Sequence, residues 1–254
     1  SNNRAYYQGG VFAVDDASGA TVNVNLIKHS IFINNQAEQA GGVFAGGVNR
    51  ISYSVISGNH ITTNYYVTDS SYGGGVFVNG RNTIVNSLIA HNYAAVRGGV
   101  FKEGDNTVYN SRIIMNRSYL NAGSGGSGGG GVFSGSTALV ANSMFDNNEA
   151  TYTAFKGQDV SHGDIANGGK LQFVNTTVVG GKDKLFVALG GSNYLIAENT
   201  ALLGDVDMGF VDPGSVTLNH CAFPSTNFDE DVVLIGCQAT LSSDDFTSLA
   251  DDNT

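Results

Sequence analysis

Charge is scarce in this chain. Of its 254 residues 13% are Asp, Glu, Lys or Arg, about half the share in an average soluble domain. The acidic members dominate, 22 against 12, for a net charge of −10, and Lys and Arg form no cluster. An acidic surface is repelled by phosphate, which excludes nucleic acid as a partner and disfavours anionic membrane surfaces. No apolar run approaches the roughly 18–20 residues that cross a bilayer, so this chain is not expected to insert into one. There are two cysteines, too few for a disulfide scaffold or for a zinc site without histidines. Cys221 and Cys237 near the end are read as one disulfide, the alternative being two buried thiols. The opening Ser1-Asn2-Asn3-Arg4 is not a signal peptide. It falls inside a repeat, so the chain is read as a mature or excised fragment. A Gly-x-Ser-x-Gly elbow, a P-loop, a His-Glu-x-x-His pair and calcium-roll nonapeptides are all missing.

In place of charge stand 35 glycines and many Asn, Ser and Thr, with 41% apolar residues arranged in blocks. The blocks repeat. Gly-Gly-Val-Phe occurs at Gly9, Gly41, Gly74, Gly98 and Gly130, followed each time by a second pattern centred on Ser30, Ser54, Ser87, Ser111 and Ser143. Three places before each serine comes Ile27, Ile51, Ile84, Val108 or Val140, and two places after comes Phe32, Ile56, Ile89, Ile113 or Phe145. Five places after comes Asn35, Asn59, Asn92, Asn116 or Asn148. Weaker copies run on through Asn175-Thr176, Asn199-Thr200 and Asn219-His220.

Side chains five apart on an unbroken strand point to opposite faces. Two positions five apart that are both always apolar therefore require a change of phase between them. The residue before the serine supplies it: Asn86, Asn110 and Asn142, or His29 and Tyr53. Asparagine tolerates left-handed backbone angles, so the chain bends there between two short inward-facing strands. No 3.6-residue period accompanies the repeat, which removes helical solenoids.

The architecture implied is all-β: a right-handed parallel β-helix of about eight coils with an asparagine ladder. Three strand-like sides per coil are expected, one at Val-Phe and two flanking the serine bend. Phe12, Phe44, Phe77, Phe101 and Phe133 form a file. Residues 1–205 carry the coils and 206–254 the irregular last coils and cap of the same domain.

A solenoid keeps its core register while insertions collect on one face, often the binding face. Here the long insertions follow Asn59, Asn116 and Asn148. They bring Tyr65, Tyr66, Asp69, Tyr72, Tyr119 and Tyr152, candidate ligand-binding residues because tyrosine offers a sugar ring both an apolar face and a hydroxyl. Lys156, Asp159, His162 and Asp164 mix bases with carboxylates in one loop and form the weak catalytic candidate, as a polysaccharide lyase or glycoside hydrolase would need. Arg97, Lys102, Glu103 and Asp105 read as a solvated rim, and His60 and His91 as turn residues. No cofactor or metal is expected.

The pairing of Gly-Gly-Val-Phe with Phe-Ile-Asn-Asn (32–35), Ile-Ser-Gly-Asn (56–59) and Ile-Ala-His-Asn (89–92) resembles the repeat of chlamydial polymorphic outer-membrane proteins. It covers residues 9–150 well and the remainder loosely. In that family the tetrapeptide is Gly-Gly-Ala-aliphatic, so Val and Phe here depart from it. More broadly the chain is similar to pectate-lyase-like β-helix proteins. The resemblance implies a secreted or surface-displayed, extracellular protein used for adhesion, and carries over no catalytic residue. The leading expectation is a non-catalytic binder of a glycan or a host or cell-surface protein. The alternatives are an extracellular lyase or hydrolase, and a stalk or filament subunit that associates end to end.

Overall fold

The computed structural model describes residues 1–5, 11–13, 24–37, 42–61, 75–94, 98–121, 131–153, 165–180, 186–187, 192–203, 215–223 and 232–237. They form a right-handed parallel β-helix in which every strand pairs in parallel with its counterpart one coil away. Each coil has four walls, one more than the repeat predicts. In one representative coil the phenylalanine wall is Phe101–Lys102, the long wall Asp105–Tyr109, the short wall Arg112–Ile114 and the ladder wall Arg117–Asn121. The long wall is a nine-stranded sheet, so the rod has nine rungs there. The ladder wall was missed because most of its strands, such as His60–Ile61 and Tyr93–Ala94, span only two residues. Two residues cannot display an alternation.

The bends follow from backbone sterics. The residue before each serine or its equivalent is left-handed, with φ between 46° and 51° from His29 through Asn86 and Asn110 to His220. A second left-handed column precedes the ladder asparagines at Asn34, Gly58, His91, Met115 and Asn147. At the Gly-Gly corner the reason for glycine is different. A Cβ on Gly99 would collide with the Gly131 carbonyl oxygen of the next rung, so the coils close up only if the side chain is absent.

Inside the rod, like lies over like. Phe12, Phe44, Phe77, Phe101 and Phe133 stack with centroids 4.9–5.1 Å apart and planes within 9° of parallel. The two apolar positions around the serine both face inward, as the parity argument requires: Ile84, Ile89, Val108 and Ile113 are wholly buried. Each such side chain contributes on the order of 1.5–3 kcal/mol.

The asparagine ladder carries the polar side of the core. The Asn59 amide N–H and side-chain Nδ2 both donate to Asn92 Oδ1 at 3.0 Å, and Asn92 repeats this to Asn116 Oδ1 at 3.0 and 2.9 Å. From Asn59 to Asn148 each Nδ2 also donates to a carbonyl one rung back, as Asn92 does to Ile56 at 3.0 Å. Polar groups that would be costly to bury are thereby satisfied. The ladder begins earlier than the repeat suggests, since Asn3 Nδ2 donates to Asn35 Oδ1 at 2.8 Å.

A second ladder went unread. Asn25, Asn49, Asn82 and Asn106 point inward from the long wall, the Nδ2 of each of the first three donating to the next Oδ1 at 2.8 Å. Its signal was an asparagine five places before each of the first four serines, lost at Ala138. The serines form a third column: the Ser87 amide donates to Ser111 Oγ at 3.1 Å, and Ser87 Oγ donates to the Val85 carbonyl at 2.8 Å. Beyond residue 205 the long wall continues with Val216–Asn219 and Val232–Ile235 in register.

Candidate functional site

The insertions at 62–74, 122–130 and 154–164 all leave the ladder wall and return at the phenylalanine wall. That corner is where a binding site is expected. Tyr65, Tyr66, Asp69 and Tyr72, and the group Lys156, Asp159, His162 and Asp164, lie outside the described residues. Tyr119 and Tyr152 are placed by their backbone on adjacent strands of the ladder wall, where Tyr119 pairs with Thr151 and Tyr152 with Leu120.

The ladder wall beside that corner presents a column of its own. Its inward positions are small or apolar and buried: Ala37, Ile61, Ala94, Ser118 and Ala150. Its outward positions are Arg4, Gln36, His60, Tyr93, Arg117 and Glu149, paired in register from coil to coil. Successive members are one strand spacing apart, about 4.8 Å. This stripe had no motif to betray it, because none of its residue types repeats from coil to coil.

The side chains of the stripe are oriented by neighbours rather than buried. Arg117 Nε lies 3.1 Å from Glu149 Oε2 while its side chain stays 63% exposed. An ion pair so open contributes little to stability and leaves guanidinium donors facing solvent. His60 Nδ1 stands 3.3 Å from the Gly58 carbonyl oxygen. Tyr93 is exposed. Donors, acceptors and one aromatic face thus line a strip parallel to the rod axis, suited to a ligand rich in hydroxyls.

The expected solvated rim requires correction. Asp105 is exposed, Glu103 is half-buried and Arg97 lies outside the described residues, but Lys102 is 4% exposed, with Nζ 3.5 Å from Glu103 Oε1. It shares the outer face of the phenylalanine wall with Ala45, Val78 and Ser134, all buried. That face is covered, a fact that tertiary packing alone decides. His60 also does more than turn the chain, being a strand residue of the ladder wall, whereas His91 does occupy a left-handed turn.

The two cysteines stand in this structure as free thiols, the alternative to the expected disulfide. They occupy the serine column on consecutive rungs: the Cys221 amide donates to Cys237 Sγ at 3.4 Å, as serine amides do to the next Oγ. Burial holds the Cys221 thiol above its ordinary pKa. Among the described residues no three His, Cys, Asp or Glu side chains are grouped to hold a metal ion.

No match was found for the chain among protein-family models, curated proteins or solved structures.

Proposed function

We propose that the chain is a non-catalytic binder of an extracellular glycan, which lies along the ladder wall parallel to the rod axis. The observation that carries this is the outward column Gln36, His60, Tyr93 and Arg117, one hydrogen-bonding or stacking side chain per rung beside the insertion corner. A polymer with repeating hydroxyls meets such a column at regular intervals, and the tyrosine adds an apolar face for a sugar ring. The likeness of the repeat to chlamydial polymorphic outer-membrane proteins supports a cell-surface setting and an adhesive role.

A glycan array followed by titration calorimetry on the best ligand tests the reading. Tyr93→Ala and Arg117→Ala are each expected to weaken binding about tenfold or more without changing the far-ultraviolet spectrum. Chain cleavage of a uronate polymer by the wild-type protein, or undiminished affinity in both variants, would overturn it.

A further inference from the structure

We propose that Cys221 and Cys237 are a redox pair whose oxidation to a disulfide staples the strand Val232–Ile235 of the long wall to the rung before it. The argument begins with the column they occupy. In the seven preceding rungs its residue is a serine or threonine: Ser30, Ser54, Ser87, Ser111, Ser143, Thr176 and Thr200. The hydroxyl's task there is to donate to the carbonyl two residues back, at 2.8–2.9 Å from Ser30 to Thr200. Each thiol stands 3.5 Å from that carbonyl, Cys221 from Asn219 and Cys237 from Ile235, and 3.2 and 3.1 Å from the Ala197 and Leu218 carbonyls of the rung before, as a weaker donor than a hydroxyl. The bend itself therefore gives no reason to prefer sulfur. Yet the only two cysteines of the chain fall on consecutive rungs of this column.

Placement suits a crosslink. The two residues continue the parallel register Asn219↔Ile235, so their Cα atoms are one strand spacing apart, about 4.8 Å. That lies inside the disulfide range of about 4.4–6.8 Å. The sulfurs already neighbour one another through the Cys221 amide, 3.4 Å from Cys237 Sγ. Accessibility is graded, with Cys221 buried and Cys237 partly exposed.

The rung being fastened is the one that most needs it. Among the described residues Val232–Ile235 pairs along one edge only. Leu234 continues the core column of Ile51, Ile84, Val108 and Leu218, all at most 1% exposed, but is itself 45% exposed. A rung with its core residue half open separates from the stack readily.

The chemistry balances with a disulfide oxidant such as glutathione disulfide. Cys237, as thiolate, attacks one glutathione sulfur; that S–S bond breaks, a mixed disulfide forms and the first glutathione leaves. Cys221 loses its proton to solvent and attacks the Cys237 sulfur, expelling the second glutathione. Two protein thiols are oxidised to one disulfide, and the oxidant is reduced to two glutathione thiols that take up the two protons. Burial of Cys221 slows the second step and shields the finished bond.

The test treats the intact chain with glutathione disulfide or with dithiothreitol, alkylates it under denaturing conditions and weighs it. The oxidised protein is expected to be two hydrogens lighter and to carry no alkyl groups, against two in the reduced form. Amide exchange over 232–235 is expected to slow by up to about a hundredfold on oxidation, the equivalent of closing a loop of this length. Cys237→Ser, which restores the hydroxyl of the column, is expected to fold and to show no redox response. Alkylation of both cysteines after the oxidant, or glutathione retained on Cys237 without the internal link, would overturn the proposal. So would identical exchange in the two redox states, or a redox response that persists in the serine variant.

Discussion

Replacing Asn92 by alanine isolates what a buried ladder is worth. Asn92 is 1% exposed and its side chain makes four hydrogen bonds. Oδ1 accepts from the Asn59 amide and from Asn59 Nδ2; Nδ2 donates to the Ile56 carbonyl and to Asn116 Oδ1. Two of the partners keep another bond after truncation. Asn59 Nδ2 still donates to the Phe32 carbonyl at 3.0 Å, and Asn116 Oδ1 still accepts from the Asn92 amide at 3.0 Å. The Asn59 amide loses the side-chain oxygen that served it, whereas the Ile56 carbonyl, in a strand paired with Leu88–Ala90, keeps its backbone partner. Leaving a buried polar group unsatisfied costs about 1–3 kcal/mol, so the variant should lose about 1–3 kcal/mol. Thr83→Ala, on the outer face of the long wall, should stay within about 0.5 kcal/mol. Urea denaturation followed by circular dichroism reads the difference, with an unchanged slope showing that the same surface unfolds. The double variant Asn92→Ala/Asn116→Ala should cost less than the sum of its parts, since the two share bonds. A loss below about 1 kcal/mol for Asn92→Ala would refute the view that the ladder binds the coils together.

Asn110 sits at φ 48°, so Asn110→Gly should be nearly neutral while Asn110→Ala costs about 1–2 kcal/mol by thermal melting; equal effects would remove the left-handed bend as the cause. Because burial raises the Cys221 pKa, the reduced folded state holds that proton more tightly than the unfolded chain does. The associated stability is fully present below the ordinary thiol pKa and is lost as pH climbs through the folded value. Urea midpoints of the reduced protein should therefore fall on the alkaline side, and less so in Cys221→Ser.

Much of this protein was readable in one dimension because a solenoid maps chain period onto spatial columns. Asn35, Asn59, Asn92, Asn116 and Asn148 share an offset from their serines, and so they share a column; the phenylalanine file follows likewise from Gly-Gly-Val-Phe. Ile84 and Ile89 could be assigned to the core because two apolar positions five apart demand a bend, and Asn86 provides it. The candidate site was far less legible. Its stripe of Gln36, His60, Tyr93 and Arg117 faces solvent, where nothing forces neighbouring coils to carry the same residue type.

By itself, then, the sequence determined the coil, its bends and the identity of most buried columns, since steric and hydrogen-bonding demands recur identically on every rung. Tertiary structure alone decided the fourth wall, the burial of Lys102 and the outward stripe of the ladder wall. Those depend on what lies one rung away or across a corner. Such relations have no fixed separation along the chain, because insertions of differing length intervene.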